Sequence, residues 1–169
     1  MEELATAKRF GPGTYFAGFV TFVGLVGGIF GIITGSIPFL SARHNVDGAW
    51  TLKTHTDTTT ETKFKGMELT YTVNFTHDGT HITGKGFKLG EQIAGGSFVK
   101  YAPADQTPIS VDGNVDGNAL SAIFTEMGKD RHTSGQLKAA WQSKTSSWAG
   151  TFSSEAAASA GTTSLTPIP

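Results

Sequence analysis

Two different rhythms of apolar residues divide the chain near residue 43. From Phe10 to Ala42 there are 33 residues without Asp, Glu, Lys, Arg or His. From Arg43 onward the chain becomes Thr-, Ser- and Gly-rich, with apolar side chains at alternate positions. Alternation of period two reads as strands with one buried face. Trp50 and Leu52 alternate with Thr51 and Lys53, and Leu69, Tyr71, Val73 and Phe75 with Thr70, Thr72, Asn74 and Thr76. After the hairpin signal His77-Asp78-Gly79 come Ile82, Gly84 and Gly86. Ile109, Val111, Gly113 and Val115 follow, and Leu120, Ala122 and Phe124 resume after Asp116-Gly117. Gly135, Leu137, Ala139 and Trp141 lead to Trp148, Gly150 and Phe152, and a last run spans about Ala160 to Thr166. Residues 89–106 form the longest break, with room for a short strand at Phe98 to Tyr101.

The pattern predicts a mainly β fold with eight strands joined by short turns. Hairpin links in chain order point to an antiparallel up-and-down β-barrel, which removes its own sheet edges. A Greek-key sandwich shows similar alternation and stays open as an alternative. On this assignment Trp50, Leu52, Tyr71, Phe75, Phe124, Trp141, Trp148 and Phe152 project inward as the barrel core. Eight large side chains can fill an eight-stranded barrel, whereas a carrier needs a cavity of about 300 Å³ or more. "SSEAAASAGTTS" reads as linker in composition, yet Leu165 and Ile168 beyond it call for packing.

The first rhythm has no period of two. Tyr15 to Leu40 is an unbroken apolar run that would reach about 39 Å as a helix, enough to cross a ~30 Å hydrocarbon core. The chain therefore divides into a short tail over 1–13, one transmembrane helix over 14–40, and a barrel domain over 41–169. A cleaved signal peptide is the competing reading, with Lys8 and Arg9 as its basic region. Its apolar core would be longer than usual, and Leu40-Ser41-Ala42 is a poor cleavage site. Within the run, Ala17, Thr21, Gly24, Gly28, Gly31 and Gly35 recur at intervals of four and three, and Gly27 adds an overlapping pair. Glycine is unfavourable in a soluble helix. In lipid, a stripe of small residues lets two helix backbones approach closely. These seven residues are the expected helix-packing face. Flanking charge is balanced between Lys8 and Arg9 on one side and Arg43 and Lys53 on the other. The paired charges on the short tail favour a cytoplasmic N-terminus with the C-terminal domain periplasmic or otherwise extracytoplasmic.

Charge and composition remove several function classes. Net charge is −1 with scattered Lys and Arg, so no basic face marks a nucleic-acid partner. There is no cysteine, which excludes disulfides and thiolate chemistry. "VDGNVDGNAL" matches the opening of a calcium loop, but its twelfth position is Ile123 where an acid is needed, and Asp116-Gly117 reads more simply as a turn. His77 and His81 flank a hairpin and invite a metal, although histidines there are more commonly solvated. His132 as a haem ligand would have to point inward, against the alternation. No carboxylate pair, nucleophile–base set or phosphate loop stands out, so neither a catalytic residue nor a metal or cofactor is assigned.

"DGAWTLKT", with Gly48-Ala49-Trp50 opening the first strand, resembles the G-x-W start of the lipocalin and avidin-like (calycin) barrels. The resemblance covers about residues 47–166 in architecture and three residues in motif. The late basic residue that packs across the tryptophan in lipocalins has no counterpart, since no Lys or Arg follows Lys144. The resemblance implies a barrel more than a ligand.

Together these features lead to the expectation of a non-enzymatic, single-pass accessory subunit of a larger membrane assembly. Photosynthetic reaction centre–antenna and respiratory complexes are assemblies of that kind. Its partners would be the lipid bilayer and other membrane subunits, held by helix and barrel. The alternative is a membrane-tethered lipocalin-like barrel that binds a small apolar ligand.

Overall fold

The computed structural model describes residues 44–169. The small-residue seam from Ala17 to Gly35 and the proposed span over 14–40 lie outside the described residues. Among the described residues no helix is long and apolar enough to cross a membrane.

Residues 44–169 form a closed antiparallel β-barrel of eight long strands with one short strand at its rim. The strands are β1 (Gly48–Thr58), β2 (Glu68–Asp78), β3 (His81–Gln92), β4 (Val99–Lys100), β5 (Thr107–Asp116), β6 (Ala119–Met127), β7 (His132–Gln142), β8 (Ser147–Ser154) and β9 (Ser159–Pro167). Each long strand pairs with its neighbours in sequence, and β1 closes the circuit by pairing with β9. β4 adds only two residues beside Gly90 and Glu91. Closure removes the sandwich alternative. A two-sheet fold would leave edges, and every long strand here has two partners.

Strand phase decides what fills the interior. Trp50, Leu52, Tyr71, Phe75, Phe124, Trp148 and Phe152 are buried. Trp141 differs: it is only half-buried and packs against the core from its margin. It is the penultimate residue of β7, where the barrel wall ends. Inward glycines make room for rings in this narrow space. A methyl group on Gly84 would run into the Phe75 ring, and one on Gly135 into the ring of Phe124.

The two ends of the barrel are built differently. At one end lie the tight β2–β3 and β5–β6 turns, the β7–β8 turn, and residues 44–47 leading into β1. At the other lie three 3₁₀ turns (Thr62–Phe64, Pro103–Asp105, Ala156–Ala158), β4 and the β6–β7 connection. The alternation did not announce the 3₁₀ turns. The Ala-rich stretch that reads as linker is the last of them, tying β8 to β9. Ala157 and Ala158 adopt positive φ of 51° and 43°, costing roughly 1–2 kcal/mol per residue. The Ala157 carbonyl compensates by accepting hydrogen bonds from the backbone N–H of Thr60 (2.9 Å) and from the Thr59 and Thr60 hydroxyls (3.1 and 2.9 Å).

Candidate functional site

The interior opens at the end that carries the 3₁₀ turns. A cavity of about 280 Å³ lies there, with Leu69, Phe124 and Phe152 as part of its apolar wall and Phe64 and Met67 from the β1–β2 connection. Its polar lining includes Thr54, Lys88, Glu91, Glu126 and Arg131. Register explains why charged residues reach the inside. Lys88 continues the inward phase of Ile82, Gly84 and Gly86, and Glu126 that of Leu120, Ala122 and Phe124. Tyr71 pairs with Lys88 across β2 and β3, while β5 separates Lys88 from Glu126 around the wall.

These three side chains form one polar cluster. The Lys88 ammonium donates to Glu126 Oε2 at 3.0 Å, and the Tyr71 hydroxyl donates to Glu126 Oε1. The lysine and glutamate side chains are both 16% exposed, so this is an ion pair largely withdrawn from water. Burial first, and the Glu126 carboxylate second, push the Tyr71 phenol well above its ordinary range. At the rim, the Tyr101 phenol is raised first by loss of solvent and then by the neighbouring Glu91 carboxylate. Thr54, in the same wall, has a buried hydroxyl with no hydrogen-bond partner among the described residues. Such a group costs about 1–3 kcal/mol. Arg131 makes no ion pair with any described residue.

The opposite end is closed. Val46 is fully buried, drawn in by the strap over residues 44–47. Asp47 Oδ1 accepts the His77 backbone N–H at 2.6 Å, and Val46 N–H donates to His77 Nδ1 at 3.4 Å. His44 stacks on Trp141 with ring centroids 4.2 Å apart and bonds Asn118 at 2.9 Å. Trp141 meets Trp148 edge-on at 5.3 Å. An aromatic lid covers this end.

The motifs weighed on sequence take ordinary places. Asp112 to Gly117 belong to β5 and the β5–β6 hairpin, with Gly117 at φ 55°. His77 is not solvated as expected; it is half-buried beneath the strap. His81 faces Asp112 at 3.2 Å. His132 is exposed at the start of β7. Among the described residues no three His, Asp or Glu gather as a metal site would require. The Lys88–Glu126–Tyr71 cluster was missed on sequence, although the inward phase of Lys88 and Glu126 is the signal that finds it. Compared with protein-family models, curated proteins and solved structures, the chain matches none. The closed barrel is consistent with a calycin-like fold.

Proposed function

We propose that this protein is a non-enzymatic accessory subunit of a larger membrane assembly. Residues 14–40 anchor it in the bilayer, and Ala17, Thr21, Gly24, Gly27, Gly28, Gly31 and Gly35 pack against a neighbouring helix. The barrel is the rigid docking body on the extracytoplasmic side. One observation supports a docking body over a carrier: large side chains occupy most of the interior, leaving about 280 Å³. That lies at the lower edge of the roughly 300–1,000 Å³ usual for small-molecule sites and leaves no room for a large carried ligand.

Leucine on the seam tests this reading. Gly28→Leu and Gly31→Leu should hold the helices apart and release the protein from its partners in mild detergent, with the barrel still folded by tryptophan fluorescence. Leucine at Phe22 or Ile29, off the seam, should leave co-purification intact. If seam and control variants stay bound alike, the docking face is wrong. The second reading, a tethered binding barrel, then takes precedence, favoured by the polar cluster in the cavity.

A further inference from the structure

The open end of the barrel holds more polar chemistry than a spacer needs. A largely buried ion pair contributes little net stability, because desolvation offsets most of its attraction. Lys88 and Glu126 nevertheless stand inside the barrel, 16% exposed, against apolar walls. Glu126 is already satisfied on both oxygens, by Lys88 and by Tyr71. Glu91 stands at the rim beside Tyr101. The positive groups are not used up. Lys88 has three N–H donors and spends one on Glu126. Arg131, on the β6–β7 connection at the rim, has no ion-pair partner among the described residues.

We propose that this cavity binds a small amphipathic monocarboxylate, its apolar body against Phe124, Phe152 and Met67 and its carboxylate between Lys88 and Arg131. A cationic ligand would have to compete with Lys88 for the Glu126 carboxylate. A purely apolar ligand leaves the remaining Lys88 donors without acceptors. The volume of about 280 Å³ restricts the body to a short chain or a single ring. This site is independent of the docking role, and the two fail in separate experiments.

Methionine offers a clean probe, since the full chain has three: Met1, Met67 and Met127. Among the described residues, Met67 is the methionine that lines the cavity. The full-length protein in lipid nanodiscs, labelled with ¹³C-methyl methionine, is titrated in turn with hexanoate, 1-hexanol and inorganic phosphate. Hexanoate should shift the Met67 resonance saturably. 1-Hexanol should bind at least about tenfold more weakly, because it lacks the charge-assisted hydrogen bonds. Phosphate, an anion without an apolar body, should not saturate. Arg131→Gln, an exposed substitution that spares the barrel core, should weaken hexanoate by about tenfold and leave hexanol unchanged. Equal binding of hexanoate and hexanol, or full hexanoate affinity in Arg131→Gln, overturns the carboxylate assignment. A Met67 resonance unmoved by all three probes shows that the cavity holds only water and that no such site exists.

Discussion

The two ends of one barrel solve the same closure problem with opposite chemistry. At the closed end a strap carries Val46 inside and a His44–Trp141–Trp148 stack covers the opening. At the open end an ion pair and a tyrosine take the inward positions that apolar residues hold elsewhere. Burying apolar surface is worth about 25 cal/mol per Å², so the closed end adds stability directly. The polar end contributes little net stability and places donors in a cavity. The same pleat, with the same phase, therefore serves stability at one mouth and recognition at the other.

The comparison is broken most severely by removing the centre of the closed end. Trp148 is 0% exposed, and Trp148→Ala should cost about 3–5 kcal/mol in urea unfolding followed by circular dichroism. Half-buried Trp141 should cost less, about 2 kcal/mol for Trp141→Ala. Equal losses would mean that the lid, not the core beneath it, holds this end.

At the open end, Glu126→Leu strands the Lys88 charge and the Tyr71 hydroxyl, and about 2–3 kcal/mol should be lost. The double change Lys88→Met with Glu126→Leu should recover most of that, since an apolar pair of similar volume does not need its partner. Failure of the double variant to recover stability would make the ion pair a structural necessity and weaken its place in a binding site.

Titration separates the ends further. The Tyr71 phenol is raised by burial and by Glu126, so its folded pKa lies above its unfolded value of about 10. Its contribution is fully present below about pH 10 and is lost as pH rises from there toward the folded pKa. The expected slope is about 1.4 kcal/mol per pH unit for one such group. Tyr71→Phe should flatten that part of the profile, measured by urea midpoints between pH 8 and pH 11. An unchanged slope would place the alkaline loss elsewhere.

The smallest effect belongs to the outer layer of the lid. His44→Ala removes a stack and an exposed hydrogen bond, and should cost about 0.5–1.5 kcal/mol. A larger loss would show that the strap depends on His44 more than on buried Val46.

The wall of the barrel was legible because each strand carries its own register. Tyr71, Val73 and Phe75 on β2, or Leu120, Ala122 and Phe124 on β6, declare an inward face without reference to any other strand. The Asp78-Gly79 and Asp116-Gly117 turns joined them in order. His77 could not be placed in the same way, since the strap that covers it lies thirty residues earlier in the chain. Trp141 keeps the inward phase, but the end of the wall takes half its cover away.

Local periodicity by itself determined the strands and most of the core positions, because a pleated strand sends alternate side chains to opposite faces whatever it pairs with. Only the tertiary structure decided what the inward charges do. Lys88 and Glu126 share a phase with the core, yet their bond exists because β5 lies between their strands and closure bends the wall. Ring closure likewise separated a filled end from an open one. The distance between side chains across a barrel is set by strand number and curvature, and neither is written in the alternation of any single strand.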